Sequence, residues 1–250
     1  MTTELAGKVA IVTGAGRNIG RAIALALAND GASILINVRS NSNEAEAVAR
    51  EVEAMGRKAL VHIGDVANAD QVRAMAEMAA KQFGRIDILV NNAALRREKA
   101  FADMTYAEWR EIMNVTLDGT FHCVKACLPY LKQSGAGTIV NIGGLSAHTG
   151  AKDRAHVVTA KAGIIGFTRA LAHDLAPDGI TVNCVVPGLI GTPRPKSAPE
   201  PAHHLIHQTI TGERGKPEDV AAMVRFLCGG AARYFTGQAI HANGGAYLGA

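Results

Sequence analysis

The chain has 250 residues, 48% of them hydrophobic, which suffices for one sizeable core and suits a single α/β domain spanning 1–250. Its net charge of +4 is scattered rather than gathered into a basic run with interleaved aromatics, which argues against a nucleic-acid partner. No apolar run approaches the roughly eighteen residues of a membrane span, and Met1-Thr-Thr-Glu lacks the basic and apolar regions of a signal peptide, so a cytoplasmic protein with no membrane partner is expected.

In chain order, short apolar runs at 8–14, 33–38, 58–66, 87–93, 137–144 and 180–188 read as strands. Helical periodicity occupies 21–29, 42–55, 70–83, 106–132 and 156–175 between them. Runs that are apolar throughout imply strands buried on both faces, and their alternation with helices implies parallel right-handed crossovers. The expectation is a doubly wound, Rossmann-like parallel sheet. The first turn, "VTGAGRNIGRAIALAL", places Gly14 and Gly20 at the passage from strand to helix, where missing Cβ atoms allow a tight turn and backbone N–H groups face a pyrophosphate. Further on, "LRREKAF" follows the fourth strand, where the pocket of an open sheet begins. Arg96 and Arg97 there either clamp an anionic substrate or form a solvated basic loop. The stretch 192–212 is rich in proline and polar residues and reads as a lid over the sheet edge. His203 and His207 within it are one helical turn apart, with His204 the sole further ligand nearby, and a polar lid is preferred to a metal site. The four cysteines, Cys123, Cys127, Cys184 and Cys228, form no CxxC pair and read as buried reduced thiols.

"TGAGRNIG" resembles the TGxxxGxG turn of the short-chain dehydrogenase/reductase family, with Asn18 where the middle glycine usually stands. The resemblance continues in order through "GDV" with Asp65 and Val66, "NNAA" with Asn91 and Ala93, "NVTLDGTF" with Asn114, "VVPGLIGT" at 185–192 and "FTGQAIHANGG" at 235–245, where Asn243 replaces an aspartate. It implies a small-molecule oxidoreductase, a homotetramer, and a dinucleotide held by Gly14, Arg17, Asn18, Ile19, Gly20, Asp65, Val66, Asn91, Ala93, Lys161, Pro187, Gly188, Ile190 and Thr192. The end of the second strand, "INVRSNSNE", offers Asn37, Arg39 and Ser40 rather than the carboxylate an NAD site uses for the ribose hydroxyls. Arg39 and Arg17 are suited to the extra phosphate of NADP, so NADP(H) is favoured over NAD.

The resemblance breaks at the catalytic segment. Family members carry a serine, a tyrosine thirteen residues later and a lysine four beyond that; counting back from Lys161 gives Val157 and Gly144. Asn114 and Lys161 remain, with implied roles of holding a relay water and binding the nicotinamide ribose. Substitutes for the lost hydroxyls are Ser146, His148, or a water fed by Lys161. His156 is five residues from Lys161 and so points off its helical face, whereas Val157 shares that face. Arg154 is placed either near the pocket or on the surface. The expected function is NADP(H)-dependent oxidoreduction of a carbonyl or hydroxyl compound with a non-standard catalytic set. A lyase or isomerase on the same fold, and a non-catalytic cofactor-binding protein, stay open.

Overall fold

The computed structural model describes residues 3–192 and 208–249. Among these, seven strands form one parallel sheet: β1 (Val9–Thr13), β2 (Ser33–Val38), β3 (Ala59–Ile63), β4 (Ile88–Asn91), β5 (Thr138–Ile142), β6 (Thr181–Pro187) and β7 (Ala239–Ala242), ordered β3-β2-β1-β4-β5-β6-β7. Helices α1 (Asn18–Asn29), α2 (Ser42–Ala54), α3 (Ala69–Phe83), α4 (Tyr106–Met113), α5 (Gly119–Gln133), α6 (Ser146–Thr149), α7 (Ala155–Leu175) and α8 (Pro217–Cys228) fill the connections. This is the doubly wound α/β fold the alternation predicts. The strand order reverses between β1 and β4, and a crevice opens there beyond the strands' carboxyl ends.

Alternation along β1 divides the core. Ala10 and Val12 face a layer that includes Ile23, Leu27, Val48, Val52 and Val224, while Ile11 joins Met75, Val124, Leu131 and Leu175 on the opposite face. The strands from β4 to β6 are buried residue by residue. Buried Asp87 accepts from the Val9 backbone N–H at 2.9 Å and from Arg85, so its charge is paired where the two central strands begin.

Two elements depart from the sequence-based expectation. The helix predicted over 106–132 is interrupted by a π-helical turn at Asn114–Asp118. Arg110 spans that turn, donating to Asn114 Oδ1 at 2.7 Å and to Asp118 Oδ2 at 2.8 Å, and Gly119 then passes so close to Val66 that a Cβ would lie 2.7 Å from its Cγ2. The second departure is β7, four half-buried residues at the sheet edge, too short to show as a run.

All four cysteines are free and buried, and burial pushes the Cys127 and Cys228 thiols up to about 12. No helix among the described residues is long and apolar enough to cross a membrane. Most of the expected lid, with His203, His204 and His207, lies outside the described residues.

Candidate active site

The turn after β1 is shaped by contacts that exclude side chains. Gly14 adopts φ +63, and a Cβ on Gly20 would stand 2.2 Å from the Gly14 carbonyl oxygen. Asn18, where the family has glycine, takes φ +50, a left-handed conformation that asparagine tolerates better than most residues. Helix α1 starts with no side-chain cap and no acidic residue in its first turn, leaving its N–H groups open toward the crevice. Asn92 fixes the turn to β4, donating to the carbonyls of Thr13 at 2.9 Å and Gly14 at 3.0 Å, while Thr13 Oγ1 accepts from the backbone of Asn92 and Ala93.

Around this turn lies a cavity of about 640 Å³. Of the expected cofactor residues it brings together Gly14, Arg17, Asn18, Ile19, Gly20, Arg39, Ser40, Asp65, Val66, Ala93 and Thr192. Arg17 and Arg39 are exposed on its wall, and neither is held in an ion pair among the described residues. Glu44, from the first turn of α2, lines the same cavity and was not anticipated; nor was Asn92, although it stands within the NNAA motif, while Asn37, read at the end of the second strand, lines it as well. Asn37 donates to the Gly64 carbonyl at 3.0 Å and faces His62, whose pKa is lowered by burial, so it serves the strand ends. The space, the glycine cradle and the open helix terminus fit a dinucleotide with its pyrophosphate at the start of α1.

A second cavity, of about 70 Å³, adjoins the first, the two sharing Ile19, Arg96 and Thr192. It gathers Lys161, Ser146, Pro187, Gly188 and Ile190 from the expected set, and Gly144, Val157 and Arg154 as well. Val157 and Lys161 are four residues apart on α7 and reach the same space, as their spacing predicts. Val157 also packs against Ile112 and Ala160, and its burial leaves no polar atom at that point of the wall.

Lys161 is 6% exposed, and its Nζ donates to the Ile142 carbonyl oxygen at 2.5 Å. Desolvation by burial, with Arg96 adding repulsion, lowers its pKa to about 7. The amine therefore changes charge near neutral pH. A protonated Lys161 has three donors, one of them taken by Ile142, which leaves two for the cavity.

Three expected site residues are placed elsewhere. Asn91 lines neither cavity: its amide donates to Asn141 Oδ1 at 2.9 Å, and Asn141 donates to Thr168 Oγ1 at 2.9 Å, a buried chain that fastens α7 to the sheet. Asn114 sits in the π turn under Arg110 and also lines neither cavity. His148 turns away to pack its ring 4.5 Å from that of His241 and 5.1 Å from that of Tyr247. His156 is buried, with its pKa lowered by desolvation, and is likewise absent from the cavity wall. Arg97 is drawn outward into a paired contact with Glu111, so of the two adjacent arginines Arg96 alone lines the cavities.

A family model described as enoyl-(acyl carrier protein) reductase matches residues 14–247. The 3-oxoacyl-[acyl-carrier-protein] reductase FabG of Staphylococcus aureus is 38% identical over 242 residues, covering 96% of this chain and 98% of the relative. The 3-oxoacyl-[acyl-carrier-protein] reductase of Synechocystis is 38% identical over 244 residues, covering 97% and 98%. A short chain dehydrogenase from Burkholderia cenocepacia, solved in complex with NADP, superposes with a TM-score of 0.90 at 36% identity, covering 97% of this chain and 99% of that one. On the fold, the glycine turn and these matches together, the chain belongs to the short-chain dehydrogenase/reductase family.

Proposed function

We propose that this protein is an NADP(H)-dependent oxidoreductase acting on a carbonyl or hydroxyl compound, with Lys161 as its proton donor and acceptor. The observation that carries this reading is the confluence of the two cavities: a dinucleotide-sized space opens into a small one whose wall holds a buried lysine titrating near neutrality. NADP in the Burkholderia relative supports the choice of cofactor, as do Arg17 and Arg39. Glu44 is the single acid among the described residues of that wall besides Asp65, set against two exposed guanidinium groups suited to a phosphate.

Gly14, Asn18 and Gly20 with the α1 terminus would hold the pyrophosphate, and Pro187, Gly188 and Ile190 would border the nicotinamide end. The bound cofactor supplies or accepts the hydride. Lys161 supplies the matching proton to the substrate oxygen in reduction and takes it back in oxidation. With valine at 157 and glycine at 144, the positions that resemble the family's tyrosine and serine, the substrate oxygen can approach Lys161 itself, and Ser146 offers the hydroxyl nearest in sequence. The same reading places the protein in the cytoplasm as a homotetramer; half-exposed Phe121 beside Phe167 offers apolar surface for such assembly.

Fluorescence titration with NADPH and NADH tests the cofactor. NADPH is expected to bind more tightly, and Arg39→Asp to weaken it by about tenfold or more, the scale of one lost charge-assisted contact, erasing or reversing the preference. Unchanged relative affinities in the variant would remove Arg39 from the assignment.

A further inference from the structure

We propose that Glu44 governs the choice between cofactors: its carboxylate accepts the 2′-hydroxyl of the adenosine ribose in NAD(H) and opposes the 2′-phosphate of NADP(H), so that the site admits both. The inference rests on the larger cavity being the dinucleotide site and goes beyond that reading by naming the residue that limits its NADP preference. The end of β2 carries no acid, but the fold brings one to it from the next helix. A Cβ on Gly16 would lie 2.9 Å from Val38 Cγ1, 3.3 Å from Glu44 Cβ and 3.5 Å from Glu44 Oε2, so the carboxylate is turned back onto the glycine turn. Arg17 follows Gly16 and Arg39 follows Val38, and both arginines line the cavity with Glu44. The acid therefore stands against the two segments that carry the guanidinium groups.

Its position is set by the packing of α2. Asn41 caps that helix, its side chain accepting from the Glu44 backbone N–H at 3.3 Å, and buried Ala45 and Val48 seat it on the core. Arg21 of α1 donates to Glu51 Oε1 at 3.0 Å, which ties together the two helices whose first turns face the cavity. Glu44 is half-buried and, like Arg17 and Arg39, is held in no ion pair among the described residues. A carboxylate so placed keeps its acceptor capacity for a ligand hydroxyl, and an O–H···O⁻ bond is among the stronger hydrogen bonds. Toward a phosphate the same charge is repulsive and subtracts from the attraction of the two arginines. As a first-turn acid Glu44 also complements the dipole of α2, but that role does not distinguish two dinucleotides that differ only at the 2′ position.

The test titrates NADPH and NADH, and their adenosine halves adenosine 2′,5′-bisphosphate and 5′-AMP, calorimetrically into the parent and Glu44→Gln, which keeps the side chain's shape and removes its charge. The parent is expected to bind NADH saturably. In Glu44→Gln, NADH and 5′-AMP should weaken by about tenfold, the scale of one lost hydrogen bond to a charged group, while NADPH and the bisphosphate tighten by about threefold or more. Glu44→Ala should move both ratios in the same direction. A purely structural role would shift the two members of each pair together, and ratios unmoved in both variants would overturn the proposal. So would a parent that binds NADPH but not NADH, with the oxidoreductase reading left standing. Absence of binding by all four nucleotides would overturn that reading and this proposal together.

Discussion

The double variant Val157→Tyr with Gly144→Ser is expected to turn over simple activated ketones faster than the parent by about 10²-fold or more, the usual scale of one positioned general acid. The site can take both side chains. A Cβ at Gly144 would meet only Lys161 Cγ, at 3.7 Å, which is ordinary van der Waals contact, and Gly144 is not in the left-handed region. Val157 lines the cavity, so a ring at that position has open space ahead of it while its Cβ keeps the contact with Ile112 and Ala160. The phenol would stand one helical turn from Lys161, whose charge lowers the pKa of a neighbouring hydroxyl. Gain on generic ketones with loss on the natural substrate would mean that the valine wall is fitted to that substrate. A folded double variant that binds NADPH and gains on no ketone would remove Val157 and Gly144 from the acid and hydroxyl positions.

Lys161→Met is expected to have two large effects of opposite sign. Turnover should fall by about 10² to 10⁴, because the cavity loses the group assigned the proton transfer. Stability at neutral pH should rise. The folded-state pKa of Lys161 lies at about 7, below the ordinary lysine value of 10.5, so the unfolded chain binds the proton more readily between those values. The penalty for burying the charge is therefore full below about pH 7 and fades as pH rises toward the unfolded value; removing the amine relieves a few kcal/mol at most on the acid side and nothing once the unfolded chain is neutral. Melting curves of parent and variant at pH 6 to 10 check it: the gap should close with rising pH. A variant less stable than the parent at pH 6 would show that the ammonium is well solvated or paired.

Those residues whose role follows from local spacing were legible in the sequence. Gly14 and Gly20 announce a strand-to-helix turn because only glycine fits there, and the structure puts a Cβ on Gly20 within 2.2 Å of a carbonyl. Val157 and Lys161 share a cavity because four residues make one helical turn. What was not legible depended on three-dimensional detail that periodicity does not carry. Asn114 falls in an extra-residue turn that leaves its amide under Arg110, and Asn91, at the end of a central strand, faces Asn141 rather than the crevice. Arg154 could not be placed without knowing where α7 begins; its start at Ala155 is what sets the guanidinium against the cavity. Glu44 was invisible as a wall residue because nothing local shows that the first turn of α2 leans over Gly16, whose Cβ would lie 3.3 Å from that of Glu44.

The central claim, that a lysine poised near neutrality replaces the family's phenol, is tested most directly by following the Lys161 side chain through a pH titration by NMR in lysine-labelled, ligand-free protein, with its resonance assigned by loss in Lys161→Arg. The account predicts a midpoint at about 7. A midpoint at about 10, the value of an ordinary exposed lysine, would contradict it.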